Sequence, residues 1–131
     1  MRRGFTLVEV LVVMGIVVLL FAGGYLVTVD TYGKNLLGSE EEKLVSILSK
    51  ARSRAMNNID ATDHQVEILL DKYVLDSDEE IERNEKIEIS GITEITFEQL
   101  SGRPDEVGDI VLNDGTRTET ITINQEGMIN W

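Results

Sequence analysis

The N-terminal part of the chain is one continuous apolar run, whereas the rest of the chain mixes apolar and polar positions. Residues 10–29 carry no formal charge, and most of them are Val, Leu, Ile, Met or Phe. A helix of about 20 such residues is long enough to cross the roughly 30 Å hydrocarbon core of a bilayer. The sequence therefore predicts the transmembrane part of an N-terminal helix over residues 5–29.

A second, amphipathic helical pattern covers residues 30–57. Its apolar residues recur three and four positions apart, which places them on one helical face. Asn57 and Asn58 then favour a helix end. We expect residues 5–57 to form one nearly continuous helix. The apolar residues on its buried face would be Leu44, Ile47, Leu48, Ala51 and Ala55.

Two local signals within this helix argue for a weak point. Gly33 and Gly38 each cost about 1 kcal/mol relative to Ala in a helix, which predicts a kink or a melted turn. Ser39 and Glu42 have the spacing of a capping box, which marks a helix start.

Residues 58–131 have the pattern of a small β-sheet head domain. Short β-branched runs are separated by Gly, Asp and Asn turns, which predicts five to seven antiparallel strands. The acidic segment 76–85 is predicted to be a loop. A long helix followed by a sheet is an α+β fold. The predicted strands are 65–70, 73–75, 86–89, 92–97, 109–112, 118–123 and 128–131.

Glu9 is a carboxylate at the start of the apolar run. At bilayer depth it costs about 2.5 to 3.5 kcal/mol unless a cation neutralises it. The chain has no Lys or Arg between Arg3 and Lys34. Cutting the peptide bond between Gly4 and Phe5 would create a new α-amine one helical turn from Glu9, or beside the Glu9 of a neighbouring copy.

The segment Gly-Phe-Thr-Leu-Val-Glu at residues 4–9, followed by an apolar helix, resembles the class III signal of type IV pilins and type II secretion pseudopilins. The resemblance implies that residues 1–4 are a prepilin leader peptide. Prepilin peptidase would cleave between Gly4 and Phe5 and methylate the N-terminus of Phe5. It also implies that Glu9 sets subunit registry in a helical filament of pilin or pseudopilin subunits, and that the fold is a pilin fold.

Two further features favour a minor subunit. The chain has no Cys, so it lacks the C-terminal disulfide loop of many major type IV pilins. A second resemblance, to the C-terminal pattern of H-type minor pseudopilins and related minor type IV pilins, is carried by Phe97, Gly102, the strands 110–112 and 121–123, and Gly127. H-type minor pseudopilins function in protein secretion across the outer envelope. A minor pilin of a type IV or competence pilus, serving adhesion, motility or DNA uptake, is the alternative.

The resemblance and the charges also imply a location. Arg2 and Arg3 place the N-terminus in the cytoplasm, which predicts a single-pass protein of the bacterial inner membrane with an extracytoplasmic head. There it would meet the assembly platform before entering the filament. Two other interpretations stay open for this segment: a secretory signal peptide cut after residues 22–24, and an uncleaved signal anchor carrying an extracytoplasmic domain.

Composition gives no positive support for an enzyme. Asp and Glu outnumber Lys and Arg 24 to 12, so direct contact with nucleic acid is disfavoured. His64 is the only histidine, and neither a Gly-x-Ser-x-Gly motif nor a cysteine zinc set accompanies it. The segment 76–85 lacks the ligand spacing of an EF-hand, which favours a solvated loop. Calcium binding by this segment stays open. We predict no catalytic residue, cofactor or metal ligand.

Overall fold

A computed structural model describes the backbone of residues 6–131 and the side chains of residues 6–21 and 36–131. Its order is one long helix, a short 3-10 helix and eight strands, which confirms the α+β class. The chain divides into two units, Met1–Asn35 and Leu36–Trp131. The elements are α1 (Leu7–Met56), the 3-10 helix (Ile59–Ala61), β1 (His64–Ile68), β2 (Lys72–Leu75), β3 (Glu79–Glu82), β4 (Glu88–Gly91), β5 (Glu94–Phe97), β6 (Gly108–Asn113), β7 (Thr118–Ile123) and β8 (Ile129–Asn130).

Helix α1 has neither the predicted melted turn nor the predicted second start. Its helical backbone continues through Gly33 and Gly38. The hydroxyl of Ser39 donates to the carbonyl of Leu36 at 2.9 Å, so it bonds to the preceding turn rather than capping a new one. Extending an existing helix avoids the cost of a new nucleus, and this outweighs the penalty of isolated glycines.

The helix ends where the sequence predicts. Met56 is its last residue, and Asn58 takes a left-handed conformation with φ 55°, which Asn tolerates better than most residues. The amide of Leu100 donates to the carbonyl of Ala55 at 2.9 Å. This bond satisfies one of the carbonyls that a helix C-terminus leaves without an intrahelical donor.

The strands form two sheets rather than the single sheet that was predicted. Both sheets are antiparallel and four-stranded, in the orders β3-β2-β1-β5 and β4-β6-β7-β8. The apolar face of α1 joins both sheets in one core, and all five predicted positions are buried. The core residues on the helix are Leu37, Leu44, Val45, Ile47, Leu48, Ala51 and Ala55, and those on the strands include Val66, Tyr73, Leu75, Ile95, Phe97, Ile110, Leu112, Ile121 and Ile123.

The prediction of a loop over residues 76–85 is wrong for its central part, which is β3. This strand pairs with β2, with Leu75 opposite Glu79. Three of its four residues are glutamates, which have a low strand preference. The preference is overridden because Ile81 packs against the core and because Lys72 pairs with Glu80 at 2.7 Å.

Candidate functional site

The predicted processing and assembly residues lie at the N-terminus of α1. Gly4 and Phe5, the predicted cleavage pair, lie outside the described residues. Glu9 is in the first turn of the helix, where a carboxylate interacts favourably with the positive end of the helix dipole. Its side chain is exposed, so it is accessible to a cation from another chain.

Glu9 also makes a local interaction that the sequence analysis missed. The Thr6 amide donates to Oε2 of Glu9 at 3.5 Å, and the Glu9 amide donates to the Thr6 hydroxyl at 3.3 Å. This reciprocal pair is a long capping box, and the Thr-x-x-Glu spacing of residues 6–9 could have identified it. The contacts start the helix at Leu7 and orient the Glu9 carboxylate.

Over residues 7–21, helix α1 presents large apolar side chains in every direction. All of these side chains are exposed, and the exposed fraction ranges from 37% at Val17 to 78% at Leu7. A helix that is apolar all round requires an apolar environment, either lipid or other helices. The exposed residues are Leu7, Val8, Val10, Leu11, Val12, Val13, Met14, Ile16, Val17, Val18, Leu19, Leu20 and Phe21.

A search for membrane-crossing helices, made only over the residues that the structure describes, found none of sufficient length and apolarity. The predicted segment 5–29 includes residue 5 and the side chains of residues 22–29, which lie outside that description. A transmembrane role for residues 5–29 stays a prediction.

In the head, His64 occupies a buried structural position. Its ring is 1% exposed and lies at the start of β1. Nδ1 is 2.7 Å from Oδ2 of Asp76, and Nε2 is 3.0 Å from the carbonyl oxygen of Ile59. Both ring nitrogens therefore lie within hydrogen-bonding distance of an oxygen. These contacts tie the 3-10 helix to β1 and leave neither nitrogen free for a substrate.

Asp76 is the centre of the polar cluster around His64. Besides the histidine, it accepts hydrogen bonds from the Gln65 amide at 2.9 Å and from Arg54 Nη1 at 3.0 Å. Burial favours the neutral acid, but the hydrogen bonds from His64, Gln65 and Arg54 prevail and lower the pKa of Asp76. Asp63, the sequence neighbour of His64, instead accepts from the Gln99 amide.

Three carboxylates of the acidic segment 76–85, those of Asp76, Glu79 and Glu80, pair with basic side chains. Lys50 lies 2.6 Å from Oε2 of Glu79, and Arg54 contacts both Asp76 and Glu79. These ion pairs connect α1 to the start of β3 and to the turn before it. Within the described part of the chain, no group of three or more Asp, Glu, His or Cys side chains is arranged to hold a metal ion.

A second buried carboxylate, Glu40, lies on α1 within the head unit. It is 4% exposed, accepts from the Tyr73 hydroxyl at 3.1 Å and forms an ion pair with Lys43. Burial, together with the adjacent Glu40 charge, raises the pKa of Tyr73. Lys43 also donates to the Glu82 carbonyl at 3.0 Å, so this cluster joins α1 to β2 and β3.

Gly102 and Gly127 of the C-terminal pattern meet each other beside α1. Both have positive φ, at 62° and 74°. A Cβ on Gly127 would lie 2.3 Å from the Gly102 carbonyl oxygen, and a Cβ on Gly102 would lie 2.5 Å from Cγ of Met56. Only glycine fits at these close approaches, which seat the C-terminal turn on the helix.

Comparison with protein families identifies the N-terminal segment. Residues 1–25 match the model described as the prokaryotic N-terminal methylation motif. This region contains Gly4, Phe5 and Glu9. Comparison with curated proteins and with solved structures found no match.

Proposed function

We propose that the chain is an H-type minor pseudopilin, a structural subunit of a type II secretion pseudopilus. The methylation motif supports a type IV pilin-like subunit that prepilin peptidase processes and that assembles with other pilin subunits. It suggests a structural subunit rather than an enzyme. The finer assignment is supported by the absence of Cys and by the packing of Gly102 and Gly127 in the C-terminal pattern.

In this proposal, insertion and processing come first. Residues 5–29 anchor the precursor in the inner membrane, with Arg2 and Arg3 in the cytoplasm. Prepilin peptidase cuts between Gly4 and Phe5 and methylates the new amine. The exposed apolar surface of residues 7–21 then allows the helix to exchange lipid contacts for contacts with neighbouring helices as the assembly platform extracts the subunit.

Glu9 provides the registry. The Thr6 amide contacts Oε2, so Oε1 is available to the Phe5 ammonium of an adjacent subunit. A correctly placed neighbour neutralises the carboxylate, whereas a displaced neighbour leaves it buried and unpaired. Breaking a buried ion pair in this way costs on the order of 3 to 5 kcal/mol, which is sufficient to reject a misplaced subunit.

The experiment that tests processing is Edman sequencing and mass spectrometry of the mature protein. We expect the mature chain to begin at Phe5 with an N-methyl group. Retention of Met1 would leave an uncleaved anchor, and a start at Tyr25 would identify an ordinary secretory signal peptide. Either result would overturn the proposal.

Deletion of the gene separates the two filament systems. A pseudopilin is required for exoprotein secretion, whereas a minor pilin of a type IV or competence pilus is required for adhesion, motility or transformation. We expect a secretion defect with normal transformation. The opposite result would assign the subunit to the pilus machinery; the formal net charge of −12 argues against direct contact of this subunit with DNA.

A further inference from the structure

The edge of β4 differs from the other sheet edges of the head. Strand β4 is the outer strand of the second sheet. Ile92 donates to the Asp109 carbonyl at 3.2 Å, and the same register pairs Ser90 with Val111 and Ile89 with Leu112. Hydrogen-bonded pairs alternate along an antiparallel ladder. The backbone of Ser90 therefore faces β6, and the amide and carbonyl of Ile89 face the open edge.

The other three edges are protected. On β5, the amide and carbonyl of Thr96 are both bonded to Asp105, at 2.8 and 3.0 Å. Strand β8 has only two residues. Strand β3 carries acidic side chains already paired with Lys50 and Lys72. Natural sheets protect their edges by such cover, shortness and charge, because an open edge is a template for another strand.

A groove of about 800 Å³ lies along β4. Its walls come from β4, β6 and β7, from the β1–β2 turn and from the segment between β3 and β4. Leu70, which is 86% exposed, stands at its rim as an apolar contact. The lining residues include Leu70, Asp71, Arg83, Glu85, Glu88 and Ile89.

The charges of the groove favour a basic occupant. Among the described residues, Asp71, Glu85 and Glu88 form no ion pair. The one lining cation, Arg83, directs its terminal nitrogens to the carbonyls of Leu69 and Ile87 and not to these carboxylates. Three carboxylates to one guanidinium leave the groove with an excess of negative charge, which attracts a positively charged partner.

We propose that the β4 edge binds an extended, positively charged segment of a partner protein by strand addition. The segment would bond through its backbone to the amide and carbonyl of Ile89, as in other β-augmentation complexes. Its Lys or Arg side chains would face Glu85 and Glu88, and an apolar side chain would contact Leu70. None of the residues that line this groove belongs to α1 or to the N-terminal motif.

The probe is a fluorescent peptide of alternating Lys and Val, about ten residues long, with the full chain held in a neutral detergent micelle. Matching peptides of Glu-Val and Lys-Gly repeats test charge and strand preference separately. We expect the Lys-Val peptide to bind in fluorescence anisotropy, and the other two to bind at least about tenfold more weakly. Bound peptide should slow hydrogen exchange at the Ile89 amide.

The double variant Glu85→Lys/Glu88→Lys should bind the Lys-Val peptide at least about tenfold more weakly than the wild type does. The control Glu106→Lys/Glu126→Lys makes the same change in net charge at exposed positions away from the groove, and it should stay within about twofold of wild type. Equal weakening by both pairs, or unchanged exchange at Ile89, would overturn the proposal. Protection of Ile89 that rises with protein concentration alone would identify a second copy as the occupant and would also overturn it.

Discussion

Nδ1 of His64 lies 2.7 Å from Oδ2 of Asp76, and this contact joins the first residue of β1 to the residue that follows β2. The same carboxyl group accepts from Arg54 of α1, so one side chain holds the helix and two strands together. The histidine is thereby part of the framework that supports the head.

We predict that Asp76→Asn lowers the free energy of unfolding by about 2 kcal/mol at pH 7. Asn replaces one acceptor oxygen with an amide group that faces the donors of His64 and Arg54, and hydrogen bonds to charged groups contribute about 1.5 to 3 kcal/mol. Denaturant unfolding of the full chain in detergent measures this. Asp78→Asn is the matched control, since Asp78 is exposed; equal losses in both variants would contradict the prediction.

Asp76 also predicts a pH dependence of stability. Its pKa lies below the ordinary value of 3.8, so the folded state holds the proton less tightly than the unfolded state. The contribution of Asp76 is fully present above about pH 4 and is lost as the pH falls through the lowered pKa. The stability difference between wild type and Asp76→Asn should therefore shrink as the pH is lowered from 5 to 2. A difference that stays constant over this range would refute the assignment.

Variants at the helix start separate the two roles of Glu9. Glu9→Gln keeps a side chain that can complete the capping box but loses the charge, and Glu9→Ala loses both. We expect both variants to insert in the membrane normally and to be depleted from filaments. Thr6→Ala should cost about 1 kcal/mol of helix stability while filament content stays near normal.

Immunoblots of sheared filaments and of membranes measure these fractions. Normal filament content for Glu9→Gln would show that the charge has no role in registry. A loss of filament content in Thr6→Ala as large as that in Glu9→Ala would assign the effect to the cap.

A bulky residue at position 4 should block processing. Gly4→Leu places a side chain next to the predicted scissile bond, and we expect the precursor to accumulate with Met1 retained. The intact mass of the purified protein distinguishes precursor from mature chain. Gly15→Leu, within the exposed part of α1, is the control and should be processed normally. An unchanged mature mass for Gly4→Leu would place the cut elsewhere.

Gly127→Ala should destabilise the head by at least about 2 kcal/mol. The new Cβ would meet the Gly102 carbonyl oxygen at 2.3 Å, and the positive φ adds strain of about 1 kcal/mol or more. Gly115→Ala carries the strain alone, because nothing lies within 4 Å of its Cβ position. Thermal unfolding of both variants tests the difference, and equal losses would show that close approach is unimportant.

Local patterns account for much of what was predicted correctly. The helical face from Leu44 to Ala55 and the helix end at Asn57 depend on neighbours three or four residues away, which a sequence displays directly. The predicted strands 65–70 and 73–75 follow from local β-branched runs, and they correspond to the antiparallel pair β1 and β2, in which Ile68 lies opposite Tyr73. The methylation motif is contiguous in the sequence, so it can be identified without the three-dimensional structure.

The sequence by itself determined the α+β order, the buried face of the helix and the identity of the N-terminal motif, because each depends on residues close together in the chain. Only the tertiary structure decided that the strands form two sheets, that Glu79 and its neighbours form a strand, and that His64 and Asp76 share a cluster with Arg54. These features depend on contacts between residues distant in sequence. The burial of Ile81 and the pairing of charges between elements stabilise the folded state. This stabilisation outweighs the secondary-structure preferences of the single segments.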